Sequence, residues 1–257
     1  MLKPLYDNKN GTMRCAGLIS GSGSNLCRIL EHQQKLIENE GSSPFEVVVI
    51  LTDNPNSNAY EIGKKFEIPV IVNDIKAFYK KHDRPRSDLT LRAEFDRVSV
   101  QLLEKHKVDL AIYAGYMSIV TRPIIEAFLG VNVHPADLSV RENGKRKYTG
   151  DHAVRDAILA GEEAIHSSTH LVEVEVDNGP LFIISAPVKV EIPENLSLNN
   201  KEDLKEIENF NQERLKVDGD WIIFPKTIEA IARSHYQTDE NGVIHYRSMA
   251  MPDGVRL

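Results

Sequence analysis

The chain has 257 residues, 41% of them hydrophobic and 27% charged, enough for one large core or two small ones. Its net charge of −7 excludes a generally basic nucleic-acid-binding surface but leaves room for a local pocket that takes a small anion. Cys15 and Cys27 give neither metal-ligand spacing nor a disulfide framework, residues 1–13 hold no apolar signal core, and no apolar run nears the ~20 residues of a membrane span, so a soluble cytoplasmic protein is expected.

Residues 15–19 read as a strand running into Ser20-Gly21-Ser22-Gly23-Ser24-Asn25. Residues 26–37 space Leu26, Ile29, Leu30, Leu36 and Ile37 as a helix does. The β-branched run 45–51 predicts a strand buried on both faces, 52–56 a turn, 59–66 a short helix and 69–72 a third strand. Polar residues 73–89 predict a surface excursion. An amphipathic helix is expected over 90–106, with Leu91, Phe95, Val98, Leu102 and Leu103 inward. Residues 110–114 form a fourth strand. Thr121 is placed to cap a helix through Phe128, with Pro123 tolerated in its first turn, and 131–134 is a fifth strand. This β-α-β alternation implies a parallel sheet covered by helices.

The second half changes character. Residues 141–148 make a basic loop and 153–160 a helix. Residues 169–176 alternate, with Leu171, Glu173 and Glu175 on one face and His170, Val172, Val174 and Val176 on the other, as a half-buried strand requires. Asp177-Asn178-Gly179-Pro180 is a turn and 181–190 its partner strand, which together predict an antiparallel hairpin at a sheet edge. Residues 201–215 and 225–235 read as helices. Neither repeats nor an interdomain linker interrupts the pattern.

Three stretches carry chemistry. The loop Gly21-Ser22-Gly23-Ser24-Asn25 sits between strand and helix, where free N–H groups and the helix dipole suit a phosphate; Leu26 breaks the dinucleotide fingerprint, and a plain tight turn is the competing reading. Ala114-Gly115-Tyr116-Met117 follows the fourth strand and borders the crevice where open parallel sheets bind ligands. Asn132 and His134 are two apart, so on a strand they leave the same face. An amide that holds an oxyanion and an imidazole that moves a proton make a centre for acyl chemistry, with Asp177 as a carboxylate partner. Alone, Asn132-Val133-His134-Pro135 reads more readily as a strand end with a satisfied histidine, and the rest of the chain reverses that reading. His170 reads as a buried, hydrogen-bonded group or a support for the site.

Ile19 to Leu26, Ala114 to Met117, Asn132 to Pro135, Ser168-Thr169-His170 and Asp177 to Pro180 occur in this order. As an ordered set they resemble the phosphoribosylglycinamide formyltransferases, folate-dependent formyltransferases, over residues 13–236. The resemblance implies one α/β formyltransferase domain, with a Rossmann-like phosphate-binding half (13–130), a catalytic and folate-binding half (131–236) and a tail (237–257). It implies formyl transfer from 10-formyltetrahydrofolate to the amine of glycinamide ribonucleotide in purine biosynthesis, without a metal. Asn132, His134 and Asp177 match the catalytic trio. Gly21, Ser22, Gly23, Ser24 and Asn25 would hold the ribonucleotide phosphate, with Lys216 and Asp220 as further substrate contacts one residue out of the family's register. Arg92, Met117, Ser118, Ile119, Val120, Asn132 and Asp177 would meet the folate, with backbone groups from Val174 to Asp177 at its pterin. Small-molecule partners and a monomer or homodimer are expected.

The chain departs from the family after Pro135, where Ala136-Asp137-Leu138-Ser139 opens a longer loop to Gly150, at Ser118, where Arg or Lys is common, and at Asn178. These leave another amine acceptor, such as an amino sugar, as an alternative. A formyltetrahydrofolate hydrolase is a second; it usually carries an amino-terminal regulatory domain, and none is expected because the core starts near Met13. A degenerate binding protein is the third, and the intact trio argues against it.

Overall fold

A computed structural model describes residues 1–257. In chain order it forms β1 (Lys3–Pro4), β2 (Met13–Ile19), α1 (Ser24–Glu40), β3 (Phe45–Thr52), α2 (Ala59–Phe66), β4 (Val70–Val72), α3 (Ile75–Lys81), α4 (Arg92–Glu104), β5 (Leu110–Tyr113), α5 (Arg122–Ala127) and β6 (Leu129–His134). There follow β7 (Arg141–Glu142), β8 (Lys145–Arg146), α6 (Ala153–Leu159), β9 (Ala164–Ile165), β10 (Ser168–Leu171), β11 (Leu181–Ile184) and β12 (Val188–Lys189). The chain ends with α7 (Lys201–Leu215), α8 (Trp221–Ala232), β13 (Tyr236–Thr238), β14 (Ile244–Tyr246), β15 (Met249–Ala250) and β16 (Val255–Arg256).

Eight strands make the main sheet, in the order β16-β11-β10-β6-β5-β2-β3-β4. The run from β6 to β4 is parallel; β10 and β11 are antiparallel additions. Strand β2 is the first of the parallel run, and the chain leaves it toward β3 on one side and later returns to β5 on the other. The switch point therefore lies between β2 and β5, and ligands of open α/β sheets bind beyond the carboxyl ends of such a pair. Alternate side chains of the central strands feed two cores. Cys15, Ile19, Ile50, Ile112 and Val131 pack with Leu26 and Ile29 of α1 and Phe224 and Ile228 of α8. Ala16, Leu18, Val49 and Ala111 pack with Leu103 of α4 and Ile124 of α5. Gly17 is needed because a Cβ there would lie 2.6 Å from the Leu26 Cδ1.

The mixed sheet flanked by helices matches the expected fold class, and several details differ. Residues 73–89 are not a bare excursion: Asp74 caps α3 by accepting from the N–H groups of Lys76 and Ala77, and buried Ile75 and Tyr79 pack with Phe95. Within α4, Val98 faces solvent and Arg92 faces inward. Ile37 of α1 is also exposed, because Leu36 alone meets the core at that turn. Thr121 occupies the cap position of α5 without a side-chain bond to its helix; its N–H and hydroxyl both donate to the Asp96 carboxylate at 2.6 Å. The alternating run 169–176 stays in the sheet only through Leu171, and Val174 and Val176 stand exposed where the backbone turns toward Asp177.

The hairpin of β10 and β11 is not the sheet edge. Strand β16, at the end of the chain, pairs parallel to β11 and covers it. The rest of the tail builds a second sheet, β1-β13-β14-β15, which ties residues 3–4 to 237–238. Tyr236 and Ile244 of that sheet belong to the main core, where the Tyr236 ring lies 4.8 Å from that of Phe182. Helices α7 and α8 are joined by one π-helical stretch, Lys216–Asp220, so residues 201–232 run as a single broken rod.

Candidate active site

The loop after β2 is built to present donors. Its carbonyls are turned away: Ser20 O accepts from Asn54 Nδ2 at 2.9 Å, Gly21 O from Asn58 N at 3.0 Å, and Ser22 O from Asn58 Nδ2 at 3.3 Å. Gly23 supplies the left-handed turn (φ 66°) that starts α1. The first α-helical bond comes from Cys27 N to Gly23 O, so the N–H groups of Ser24, Asn25 and Leu26 have no acceptor one turn back. With acceptors tied off and donors free at the positive end of a helix, the loop has the chemistry to cradle an anion.

Asn25 links the cradle to the π-stretch. Its Nδ2 donates to Asp220 at 3.1 Å, the other Asp220 oxygen accepts from Ser167 Oγ at 2.5 Å, and burial pushes the Asp220 pKa up. Lys216 stands at the same wall and pairs with Glu213.

Next to this cradle, β6 delivers Asn132 and His134 to one face while Val131 and Val133 go to the core. Strand β10 places His170 directly opposite Asn132. His170 is 2% exposed. Its Nδ1–H donates to the Leu171 carbonyl at 2.8 Å, which leaves Nε2 as an acceptor for the Asn132 amide at 3.3 Å. Burial holds this imidazole neutral, its pKa pushed down to about 4. The Asn132 amide is thereby oriented, with one N–H spent on His170 and the other free for the cleft.

His134 is also buried. Its Nε2–H donates to the Tyr148 carbonyl at 3.0 Å, and its Nδ1 faces Asp177 at 3.4 Å. Burial lowers its pKa, and the Asp177 charge works against that shift. The 3.4 Å gap exceeds the ~2.7–2.9 Å of a charge-assisted bond, as expected while Nδ1 is a lone-pair acceptor facing a carboxylate; proton uptake at Nδ1 would turn the contact into a charge-assisted hydrogen bond. The Asp177 carboxylate also accepts from Gly150 N at 2.9 Å and lies 3.7 Å from His170 Nε2.

Both sites open into one cleft of about 470 Å³. It is lined by Gly21, Ser22, Gly23, Ser24 and Asn25, by Met117, Ser118, Ile119 and Val120, and by Asn132, His134, Asp177, Lys216 and Asp220. Two expected residues stay outside. Arg92 is 3% exposed, with its guanidinium against the Tyr79 ring and Nε on the Tyr79 hydroxyl at 3.4 Å; Val174 points to solvent outside the cleft. Ser118 lines the cleft with its hydroxyl committed to the buried Asp53 carboxylate. Exposed Met117, Ile119 and Val176 give the far rim an apolar surface suited to a flat ring. Sequence reasoning missed Ser20, whose Oγ accepts from Met117 N at 2.8 Å and locks the two loops together, and Gly150, whose N–H holds Asp177. A glycine at the end of a long loop carries no sequence signal for holding a carboxylate.

Fold and cleft define a class: an α/β protein that brings an anion cradle and an amide–imidazole–carboxylate set to one switch point, the layout of a group-transfer enzyme. Residues 13–209 match the family model described as formyl transferase, and the chain belongs to that family. It is similar to glycinamide ribonucleotide transformylase 1 of Symbiobacterium toebii, at 26% identity and TM-score 0.64 over 91% of this chain and 94% of that one. The phosphoribosylglycinamide formyltransferase of Coxiella burnetii shares the fold, at TM-score 0.70 and 19% identity over 96% and 99% of the two chains. In sequence, the chain is 28% identical over 235 residues to the trifunctional purine biosynthetic protein adenosine-3 of Bos taurus. It spans only 11% to 20% of the length of such curated relatives.

Proposed function

We propose that this enzyme transfers a formyl group from 10-formyltetrahydrofolate to the amine of glycinamide ribonucleotide. The observation that carries the reading is that the anion cradle and the Asn132–His134–Asp177 set share one cleft. A phosphorylated amine anchored at Gly21 to Asn25 extends along the cleft toward Asn132, while Lys216 and Asp220 flank it. The apolar rim of Met117, Ile119 and Val120 takes the folate rings.

The amine nitrogen attacks the formyl carbon and the carbonyl becomes an oxyanion. The free N–H of Asn132 and protonated His134 stabilise that charge. Asp177 takes the proton that the attacking nitrogen must lose, directly or through a water. The C–N bond to the folate then breaks, and the leaving nitrogen recovers a proton from the same relay. His134 is neutral at rest, so its cation forms when Nδ1 takes over from Asp177 the proton the attacking nitrogen lost, and that same proton then goes to the leaving nitrogen, one proton being moved in all. Arg92 takes no part, since its guanidinium is sealed beneath Tyr79. The catalytic unit is one domain that includes the tail, since β16 joins the main sheet and Ile244 the main core, working in the cytoplasm as a monomer or homodimer.

The test is a purified-enzyme assay with 10-formyltetrahydrofolate, with and without glycinamide ribonucleotide. Folate turnover that requires the ribonucleotide is the expected result. Turnover without an acceptor would replace this reading with a hydrolase, and turnover with an amino sugar instead would replace the acceptor. His134→Ala is expected to lose about 10²–10⁴ in kcat.

A further inference from the structure

The long loop after Pro135, where this chain leaves the family pattern, does not hang in solvent. It folds into the β7–β8 hairpin, and Arg146 of β8 reaches across to the turn that carries Asp177. Arg146 Nη1 donates to the Asp177 carbonyl at 2.5 Å and Nη2 to the Gly179 carbonyl at 2.8 Å. This two-point grip uses the rigid fork of a guanidinium, which a lysine cannot reproduce. The gripped turn is an unusual one. Asp177 has φ 55°, a left-handed backbone that a side-chain-bearing residue adopts reluctantly, and Gly179 packs so closely that a Cβ would lie 1.9 Å from the Leu171 carbonyl. The far end of the same loop supplies Gly150, whose N–H donates to the Asp177 carboxylate.

The loop is in turn held from outside. Arg256 of β16 donates to the Asp137 carboxylate and to Ser139 Oγ, both at 2.7 Å, and Leu138 N donates to Ser168 Oγ at 3.1 Å. A continuous chain of contacts thus runs from the C-terminal strand through the loop to the backbone of Asp177.

We propose that Arg146 is a positioning residue for formyl transfer, fixing the 177–179 turn so that the Asp177 carboxylate faces His134, with the Arg256 contact bracing the loop that carries it. The proposal rests on the reading of Asp177 as the proton-relay carboxylate.

A double-mutant cycle on kcat tests it. Arg146→Met is expected to lower kcat about tenfold to a hundredfold, the usual worth of hydrogen bonds from a charged group, with both KM values within about threefold of the parent. Arg146→Lys falls between the two. In an Asp177→Asn background, adding Arg146→Met should change kcat by less than about twofold, because the carboxylate it positions is already gone. Independent, multiplicative losses would overturn the proposal and leave the function intact. Full activity of Asp177→Asn alone would instead overturn the role of Asp177. Thermal unfolding monitors folding; should Arg146→Met fail to fold, Arg256→Ala carries the same cycle, and its kcat loss must vanish in the Asp177→Asn background.

Discussion

Replacing His170 with Phe separates orientation of the amide from its presence. The substitution keeps a flat ring in a site that is 2% exposed but removes two hydrogen bonds, from Nδ1 to the Leu171 carbonyl and from the Asn132 amide to Nε2. Only the Leu171 carbonyl loses its side-chain partner in a buried place, because Asn132 borders the cleft and finds water, so the stability loss is limited to about 1–3 kcal/mol. The catalytic effect is of a different kind. Deleting an oxyanion donor outright costs about 10²–10³ in kcat, and that is the ceiling here. The amide survives in His170→Phe but loses its orienting partner, so a fall of about tenfold to a hundredfold is expected, at unchanged KM. His170→Gln, which can still offer an oxygen to Asn132, should retain more activity. Steady-state kinetics with both substrates, alongside thermal unfolding, make the measurement. A His170→Phe enzyme within twofold of the parent kcat, while Asn132→Ala is strongly impaired, would refute the claim that His170 orients the amide.

Two further outcomes are expected. Gly23→Ala forces a side chain into a left-handed turn and sets a Cβ 2.5 Å from Ile62 Cδ1. It should weaken the phosphorylated substrate by about 1–2 kcal/mol while leaving the folate KM unchanged, read by calorimetric titration of each ligand; equal weakening of both would argue against a dedicated anion cradle. The second concerns acid stability. His134 and His170 both have folded pKa values lowered by burial, His170 to about 4, so below the ordinary histidine value the unfolded chain binds protons the folded one refuses. Their contribution is complete above pH ~6.5, falls as pH drops, and for His170 is fully lost only below about 4. Denaturant titrations between pH 6.5 and 4.5 should show a shallower pH slope for His170→Phe than for the parent, and an identical slope would contradict a neutral His170.

Local chemistry made much of this site readable in advance. The glycine loop, the strand that sends Asn132 and His134 to one face, and the turn at Asp177 are each set by residues within a few positions of one another. What escaped is non-local. Arg92 has the charge for a carboxylate ligand, but the aromatic cluster of Tyr79, Phe78 and Phe95 closes over it, and that cluster exists only because Asp74 starts a helix within a polar stretch. The edge of the sheet was misplaced for a similar reason. The two-residue strand β16 has no periodic signature, and its pairing to β11 arises from the far end of the chain. Val174 fits the alternation of a strand, yet the strand ends at Leu171, because Asp177 must be reached through a left-handed turn that breaks the pleat.

Lys216 and Asp220 are carried by the irregular joint between α7 and α8. Helix α7 runs regularly to Leu215, and α8 runs regularly from Trp221, with all five intervening residues in the π-stretch. A π-turn bonds i to i+5 and so holds one residue more than an α-turn, and such turns recur at functional sites. Lys216 and Asp220 border the same cleft, with Gly219 allowing the close approach, since a Cβ on it would lie 2.6 Å from Ser167 Oγ. Ser167 in turn donates to Asp220, and Asp220 accepts from Asn25 at the head of α1. The wide π-turn is thus pinned to the head of α1, which fixes the wall of the cleft that carries both side chains.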